Sequence, residues 1–387
     1  MVAKINADIT NGVVITSDTS GEMELQANGV TKAKVTANGL QDANGNSITG
    51  GSYRNLIING DMRIAQRGTS FAQNAGYTLD RMTVNNSGYS HTATITQDTD
   101  VPSGQGFSNS FKYNVTSGAS VASTDYNVMI DYRMEGQHVS HLEYGTAYAK
   151  TLTLSFWIKS NVTGTVVGRI YQPTPNRQIG KAFTITSANT WEKMTWTIPG
   201  DVSGNIADDN TVELGFALFI ASGSLRDSGT LQTSWANYVQ ADQAVGVTDF
   251  TDTTGNYINL TGFQLEVGSG ASDFEFLPYD VQLARCQRYY WKMTGVQYAY
   301  VGMGFSESGF GNYYCKLPVT MRTNPTVSIS NLKAFNGVSN PSITGIRATY
   351  MTPDAGVVQY YHTASAGSVY GAFIDPSTGY ADFSAEL

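Results

Sequence analysis

Two histidines, His138 and His141, have the spacing most suggestive of a metal site, with Glu143 close behind them. On a helix, residues three apart share a face, whereas on a strand the two rings would point to opposite sides. The surrounding pattern does not favour a helix, so we expect no zinc site here. Asp208 and Asp209 lie in a polar stretch where loop carboxylates could bind calcium. A solvated turn is the simpler interpretation of that pair.

Motifs that would predict an enzyme are missing from the sequence. It contains no P-loop, no H-E-x-x-H zinc motif and no nucleophile elbow. Glycoside hydrolysis requires two facing carboxylates, and among 31 acidic residues some such pair would arise by chance. We therefore expect no catalytic residues, no metal and no organic cofactor.

Binding through aromatic side chains is the chemistry that the composition supports best, because the chain has 23 tyrosines and 5 tryptophans. A rigid aromatic face with a polar handle suits contacts with sugars. Tyrosines are dense in residues 291–387, where some should pack in a core or between chains. Loops 171–180 and 222–235 are second candidates, because loops on a rigid scaffold often carry recognition. The residues that we predict to bind glycan are Tyr350, Tyr360, Tyr361, His362 and Tyr370.

Composition and charge narrow the class of protein further. A length of 387 residues predicts two or three folding units, and 41% hydrophobic residues are enough to build their cores. Thr and Tyr fit strands, while 40 glycines and many asparagines supply turns, so the chain should be all-β. The net charge of −8, without a Lys/Arg cluster, argues against nucleic acid or an anionic membrane as a partner.

The two cysteines and the N-terminal segment bear on the compartment. Cys286 and Cys315 form no disulfide framework, so we expect reduced, packed thiols, although the sequence leaves a pair open. The opening MVAKINADITNG lacks the apolar run of a secretory signal. No segment approaches the roughly 20 apolar residues of a membrane span. We therefore expect assembly in a cytoplasm and no membrane insertion.

Strand periodicity dominates between about residues 55 and 277. Residues 212–220 form a near-continuous apolar run, which is typical of a central buried strand. Turn signals separate these segments, which predicts a jelly-roll-like antiparallel sandwich. One alternating set should share a core-facing side, namely Leu152, Leu154, Phe156 and Ile158.

A change of parity within residues 258–267 predicts a β-bulge at Thr261–Gly262, which would return the apolar residues on both sides of it to one face. Glu266 alternates with these residues, so we expect it to face outward or into a contact between chains. Asp80 and Arg81 should form a turn or an ion pair between strands. We assign the tryptophans on strand patterns to a core or an interface: Trp157, Trp191 and Trp196.

Residues 1–54 consist of short β-units separated by Asn-Gly turns. Each arm carries one thin apolar stripe, which cannot form a stable core alone. Three copies could share their stripes around one axis, so we predict a trimeric collar or shaft; an arm that orders only on docking is the alternative. One helix is expected near residue 280, with Pro278 before it and Asp280 as its N-cap. It would end a sandwich at 55–290 and lead into a small β-unit at 291–387.

Four segments, in this order and spacing, resemble the sandwich domain of phage tail and virion fibres over residues 55–290. That family is similar in fold to carbohydrate-binding modules, occurs as homotrimers, and is defined by its scaffold, so the resemblance implies no catalytic residues. One departure is Met82, after the Asp-Arg pair, where a tryptophan is often seen. Residues 21–45 resemble the short β-repeats of fibre shafts. The four segments are NLIINGDMRIAQRGTSF followed by YTLDRM, RMEGQHVSHLEYGTAYAKTLTLSFWIKS, TWEKMTWTIPGDVSG and TGFQLEVGSGASDFEFLPYDVQLARCQRYY.

The resemblance implies a homotrimeric virion fibre that recognises host cell-surface polysaccharide. Its collar, 1–54, would attach to other tail or capsid proteins, the sandwich, 55–290, would form the body, and 291–387 would form the distal tip. One alternative is a head or tail decoration or adaptor protein without a receptor role. The other is a polysaccharide depolymerase, which the lack of a long parallel β-helix repeat disfavours.

Overall fold

A computed structural model describes residues 23–27, 29–36, 39–42, 53–74, 76–120, 124, 126–294, 300–307, 310–335, 343–362, 369–374 and 379–387. Within these ranges strands dominate and every strand pair is antiparallel. The strands are β1 (Met23–Ala27), β2 (Val30–Thr36), β3 (Gly39–Asp42), β4 (Ser70–Ala72), β5 (Gly76–Tyr77), β6 (Thr83–Ser87), β7 (Thr92–Asp98), β8 (Ser110–Ser117), β9 (Asn127–Glu135), β10 (Leu152–Ser160), β11 (Gly164–Gln172), β12 (Arg177–Ile185), β13 (Glu192–Ile198), β14 (Val212–Ser222), β15 (Ala236–Asn237), β16 (Tyr257–Val267), β17 (Tyr290–Thr294), β18 (Tyr300–Glu307), β19 (Phe310–Lys316), β20 (Thr326–Ser330), β21 (Leu332–Phe335), β22 (Ile343–Met351), β23 (Ala355–His362), β24 (Val369–Ile374) and β25 (Tyr380–Ser384). The helices are α1 (Gly136–Val139), α2 (Ser224–Asp227) and α3 (Tyr279–Gln287), with 3₁₀ turns at Ser140–Leu142 and Gln240–Asp242.

Two large sheets pack face to face between residues 70 and 267. The six-stranded sheet has the order β13-β10-β16-β8-β7-β4, and the seven-stranded sheet has the order β15-β12-β11-β14-β9-β6-β5. From β8 to β11 each successive strand changes sheet, as do the connections β12–β13, β13–β14 and β15–β16. This alternation is a jelly-roll-like topology and confirms the predicted antiparallel sandwich. The homotrimer, the collar and the boundaries at 54 and 290 stay predictions.

Aromatic side chains join the two sheets in the core. The four residues predicted to share the inner side of β10 are each 0% exposed. Phe156 of β10 stacks on Phe263 of the same sheet, with ring centroids 5.1 Å apart, and meets Phe183 of the opposite sheet edge to face at 5.2 Å. Each such ring removes a large apolar area from water, which stabilises the fold by about 1.5–3 kcal/mol.

The central strand and the bulge follow the sequence pattern. β14 lies between β11 and β9, and residues 213–222 are all buried. The register between β10 and β16 shifts where Ser155 faces Gln264 and Trp157 faces Thr261, and Gly262 there has φ +66°. The predicted bulge is therefore confirmed. Of the apolar residues on either side of the bulge, Ile258, Leu260, Phe263 and Leu265 enter the core, whereas Val267, at the end of β16, is 39% exposed.

Glu266 corrects one expectation, because its side chain is fully buried and not outward-facing. The chain turns back after β16, so that the Ser272 amide and hydroxyl donate to the carboxylate at 2.9 and 2.6 Å. Gln264 Nε2 donates at 2.9 Å, and Arg54 Nε lies 3.3 Å away. Strand parity could not reveal these donors, because they come from a loop that folds over the strand.

The helix and the thiols agree with prediction in most respects. α3 begins at Tyr279 with Pro278 at the N-cap position, and no side chain caps it. Asp280 lies in the first turn, so its assignment as N-cap is wrong.

Cys286 and Cys315 are both free and buried, in separate core clusters. Burial raises the pKa of both thiols, that of Cys315 to about 11. Reduced, packed thiols are thus confirmed.

Smaller sheets flank the sandwich on both sides. After α3 the chain forms a three-stranded sheet, β17-β25-β20, and a six-stranded sheet, β21-β24-β18-β19-β23-β22, with their own buried cluster. Before the sandwich, β1-β2-β3 form a sheet in which Glu24 and Lys34 pair at 3.0 Å on one face. On the other face Leu25 and Val35 are 43% and 38% exposed.

A buried ion pair ties the end of β25 to the sandwich. Asp80 and Arg81 occupy a turn, as predicted, and Arg81 is 1% exposed. Its guanidinium lies 3.6 Å from the ring centroid of Tyr289, and Nη1 donates to the Glu386 carboxylate. Burial alone would lower the pKa of Arg81, but Glu386 holds it well above its ordinary value. Arg67 Nη2 also donates to Glu386, at 3.0 Å.

We expect Glu386→Gln to lower the free energy of unfolding by about 3–5 kcal/mol, because Arg81 would remain buried without a counter-charge. Urea unfolding followed by intrinsic fluorescence measures this. The matched control is Glu143→Gln, which breaks the exposed pair with Lys150 and should cost under about 1 kcal/mol. Equal effects of the two substitutions would contradict a structural role for the buried pair.

Candidate functional site

A cleft of about 430 Å³ opens on the outer face of the seven-stranded sheet. Strand alternation explains its floor: in β11, Val166 and Ile170 enter the core, so Arg169 and Tyr171 point to the other side. Residues 223–243 fold over the same face and form part of the rim. Amide and arginine side chains predominate among the lining residues, which are Asn85, Asn86, Ser87, Asn127, Met129, Arg133, Arg169, Tyr171, Gln172, Pro173, Asn176, Arg177, Arg226, Tyr238 and Gln243.

A buried carboxylate, that of Asp131 in β9, anchors three side chains at the floor of the cleft. Arg133 Nε donates to it at 2.9 Å, the Tyr171 hydroxyl at 2.9 Å and Asn85 Nδ2 at 3.3 Å. Asp131 is itself 0% exposed. The three donors lie in β9, β11 and β6, so the carboxylate of Asp131 links three strands through hydrogen bonds at the floor of the cleft.

The Tyr171 ring lies against the backbone of the neighbouring strand. Tyr171 is paired across β11 and β14 with Gly215, and a Cβ at that position would overlap ring carbon Cζ. Burial, followed by the charge of Asp131, raises the pKa of the Tyr171 hydroxyl, which therefore stays protonated and donates. The glycine thus permits a flat aromatic surface beside the polar residues of the cleft.

Arg169 is a buried cation whose hydrogen-bond partners are neutral. It is 7% exposed, and Nη1 donates to Gln243 Oε1 at 2.7 Å and to Gln178 Oε1 at 3.5 Å. The guanidinium lies 4.6 Å from the ring centroid of Tyr171 and 5.6 Å from that of Phe219. Burial lowers its pKa. The side chain is held in place by amides and aromatic faces.

One buried donor beside the cleft, Arg169 Nε, has no hydrogen-bond partner among the described residues. Asn86 and Gln172 also carry unpaired atoms, but they share the strand parity of the core residues Val84 and Ile170, so their side chains point away from the outer face. Native proteins pair nearly all buried polar groups with protein, water or ligand. The incompletely paired guanidinium of Arg169, in a cleft lined by amides, therefore indicates a site for a polar ligand.

The predicted glycan-binding residues divide between two faces of the C-terminal sheet. Tyr350 of β22 and Tyr361 of β23 are 64% and 47% exposed. Tyr360 and His362 are 1% and 5% exposed, because alternate residues of β23 point inward, so a glycan on Tyr361 would not reach them. The strand position of Tyr370 is described, in β24, but its side chain is not. Glycan binding by Tyr350 and Tyr361 stays a prediction.

Both second-candidate loops reach the cleft. Residues 171–180 contribute Tyr171 and Arg177, and residues 222–235 contribute Arg226. Sequence reasoning missed the cleft residues on strands, above all Arg169. A signal was present in the apolar run VVGRIY, residues 166–171. Arg169 has the parity of Tyr171, and Val166 and Ile170, which enter the sandwich core, have the other parity.

The remaining candidates for chemistry give no metal site. His138 and His141 lie in α1 and the 3₁₀ turn after it, so the expectation that this segment is not helical is wrong. Across the described residues, no group of His, Cys, Asp or Glu side chains could hold a metal ion. Asp209 is exposed and accepts from Thr211, as in a solvated turn. Wherever the structure describes the chain, each helix is too short or too polar to cross a bilayer.

The tryptophans occupy a core position and two half-buried positions. Trp196 is 5% exposed in the sandwich core, and Trp191 Nε1 donates to Asp100 at 3.0 Å. Trp157 lines a hollow of about 350 Å³ on the outer side of the six-stranded sheet, together with Phe107 and Phe276. The assignment of Trp196 to a core is confirmed. Trp157 and Trp191 are half-buried and not in the core, so an interface stays the prediction for both.

Comparison with known proteins gives only distant likenesses. No protein-family model and no curated protein sequence matches the chain. The enzymatically active domain of bacteriophage CBA120 tailspike protein 4 matches with 16% identity and a TM-score of 0.31, covering 56% of this chain and 22% of that chain. A family 11 carbohydrate-binding module from Clostridium thermocellum, in complex with a β-1,3-1,4-mixed-linked tetrasaccharide, matches with 11% identity and a TM-score of 0.27, covering 53% and 96%. TmCBM61, in complex with β-1,4-galactotriose, matches with 8% identity and a TM-score of 0.27, covering 55% and 99%. Similarity at this level assigns neither fold nor function.

We expect Gly215→Ala to lower the free energy of unfolding by about 1–3 kcal/mol, because the added methyl group displaces the Tyr171 ring from its place on the sheet. Urea unfolding measures the change. Gly345→Ala is the matched control: it lies in β22 with no atom within 4 Å of the added Cβ, so its effect should stay within about 0.5 kcal/mol. An unchanged stability in Gly215→Ala would contradict the described ring position.

Proposed function

We propose that this chain is a structural fibre protein of a phage virion that binds host cell-surface glycan as a homotrimer and has no enzymatic activity. The observation that carries the glycan-binding part is the polar cleft, where the buried guanidinium of Arg169 is incompletely hydrogen-bonded beside Tyr171. The virion location is supported by the resemblance of residues 55–290 to fibre sandwich domains.

The cleft has the chemistry that sugars require. Asn85 and Asn127 carry amide groups that can bind hydroxyls. Gln243 can only accept from them, because its Nε2 already donates to the Tyr238 hydroxyl and to a backbone carbonyl. Tyr171 and Tyr238, the latter 36% exposed, supply aromatic area for the C–H faces of a sugar ring. A saccharide would therefore contact both the polar groups and the aromatic surface of the cleft.

Binding is favoured over hydrolysis at this cleft. The carboxylates that hydrogen-bond to cleft residues, Asp131 and Asp201, are each engaged by arginine: Arg133 Nε donates to the first at 2.9 Å, and Arg177 Nε donates to the second at 2.5 Å. A glycosidase needs one carboxyl as an acid and a second as a base or nucleophile facing the sugar. Carboxylates that accept from fixed guanidinium groups are poorly suited to either role.

A homotrimer would cover the exposed side of the N-terminal sheet. Met23 pairs with Val35 and Leu25 with Ala33 across β1 and β2, so these apolar residues share one face. The face is partly exposed in the single chain, and so small a sheet is marginally stable alone. Three copies would bury the stripe together, and three glycan sites on one stalk would gain avidity.

The tyrosine surface of the C-terminal sheet is a second candidate for the glycan contact. Tyr314 and Tyr350 flank Val357 across β19, β23 and β22, in one row, and are 57% and 64% exposed. Tyr361 lies on the same face. A flat aromatic row of this kind suits either a sugar polymer or a contact between chains.

We expect Tyr171→Ala to reduce binding of the full-length protein to an array of bacterial surface glycans by about tenfold or more, because the aromatic contact in the cleft is lost. Fluorescent protein bound per glycan spot is the readout. The double variant Tyr350→Ala/Tyr361→Ala removes the second candidate surface and is measured in parallel. Loss in the double variant alone would move the site to the tyrosine surface, and no binding by the parent protein would refute glycan recognition.

Sedimentation equilibrium should give three times the mass of one chain for the full-length protein. We expect Val35→Lys to shift this equilibrium to monomer, because a charge in the shared apolar stripe would be buried without a partner. Lys34→Gln, on the opposite face of the same strand, should leave the trimer intact. A monomeric parent protein would contradict the fibre assignment.

A further inference from the structure

We propose that the cleft recognises an acidic saccharide, through a contact between Arg169 and a carboxylate of the glycan. This inference rests on the proposed glycan-binding function and names the class of its ligand. The ligand class is a surface polysaccharide that contains uronic or ulosonic acid residues.

The burial of Arg169 without a direct ion pair is the first step. Burial lowers the pKa of Arg169 and the charge of Asp131 opposes that shift, but Arg169 and Asp131 form no hydrogen bond among those described. Burying a charge is costly unless an opposite charge and hydrogen bonds compensate for it. Both hydrogen bonds of Arg169 go to the amide oxygens of Gln243 and Gln178. Neutral acceptors and aromatic faces compensate only in part, so an arginine at this position is better explained by an anion that it binds.

The neighbouring carboxylates are already engaged, which is the second step. Asp131 accepts from Arg133 and Tyr171, and Asp201 accepts from two nitrogens of Arg177, at 2.5 and 3.0 Å. Neither carboxylate forms a hydrogen bond with Arg169 among those described. The residues that line the cleft include four arginines and no aspartate or glutamate. Arg133 and Arg177 are neutralised by these two carboxylates, whereas the described hydrogen bonds of Arg169 go to neutral amides.

The unused donor of the guanidinium indicates the kind of ligand atom. Both described hydrogen bonds leave from Nη1, and Nε is enclosed by the protein. Nη2 is thus the nitrogen left for an acceptor in the cleft. A charged N–H donor favours an anionic oxygen such as that of a carboxylate. Tyr171 and Gln243 hold the guanidinium in position, so little entropy would be lost on binding.

The surroundings of Arg169 fit a sugar acid better than a free carboxylate or a protein side chain. Amide groups of Asn85, Asn127 and Gln243 line the same cleft and can bind the hydroxyls of the ring that bears the carboxylate. One carboxylate among several hydroxyls is the pattern of a uronic or ulosonic acid.

The test uses the full-length protein on an array of bacterial polysaccharides printed in two forms, native and after chemical reduction of the carboxyl groups. We expect signals on native acidic glycans to fall about ten- to hundredfold on their reduced forms, as for loss of a charged hydrogen-bonded contact. Arg169→Gln should show the same loss on native glycans. Arg169→Lys keeps the charge but lacks the planar guanidinium that Gln243 and Tyr171 hold in place, and should bind at an intermediate level.

Arg347→Gln serves as the matched arginine substitution, because Arg347 is exposed in the C-terminal sheet, 3.9 Å from the ring centroid of Phe310. It should bind as the parent does.

Thermal unfolding of each variant separates lost binding from lost folding. The comparison of native with carboxyl-reduced glycans uses the parent protein, so its result does not depend on the folding of any variant. Equal binding to native and reduced glycans would overturn this inference and leave glycan binding intact. Signals that survive reduction but disappear after removal of phosphate would overturn it in favour of a phosphorylated glycan. No signal on either array would refute the proposed function itself.

Discussion

The ion pair between Arg81 and Glu386 is the interaction on which the arrangement of the chain depends. A guanidinium enclosed by the sandwich and the Tyr289 ring requires a negative charge, and the chain supplies it from a position 305 residues later in sequence. The end of β25 must therefore return to the sandwich before the core around Arg81 is complete. A main-chain hydrogen bond lies next to the ion pair in sequence: Ala385 N donates to Tyr289 O at 2.8 Å. The sheets after α3 are fastened to the sandwich at both of their ends, through α3 and through β25.

Arg169 shows the opposite use of the same side chain. Both arginines are buried against aromatic rings, and both are fixed by their surroundings. Arg81 meets a carboxylate within the chain, whereas the acceptors of Arg169 are amides. Buried charges that are compensated internally serve the fold, while one that is left uncompensated in an open cleft is available to a ligand. The contrast separates a structural arginine from a candidate binding arginine within one sandwich.

Local patterns in the sequence predicted the parts of the fold that local physics determines. Alternation along β10, the apolar run of β14 and the bulge at Gly262 depend on residues close in sequence, and each is present. Features that need distant partners could not be predicted in this way. Glu266 is buried because Ser272 returns to it, and the cleft joins Asn85 to Gln243 through the sandwich fold. Alternation in β23 could have separated Tyr361 from its two neighbours, had it been applied to the predicted site.

The margins of the seven-stranded sheet limit how copies of this chain can associate. Its edge strands, β5 and β15, have two residues each. One edge strand of the six-stranded sheet, β4, has three residues. A long open margin offers unpaired backbone amides and carbonyls to any neighbouring strand and so invites runaway polymerisation. Margins this brief give a neighbour almost no backbone to pair with, whereas β13, the other edge of the six-stranded sheet, has seven residues. Crowded copies can therefore not merge their seven-stranded sheets, and backbone pairing between sandwiches is confined, among the described strands, to β13.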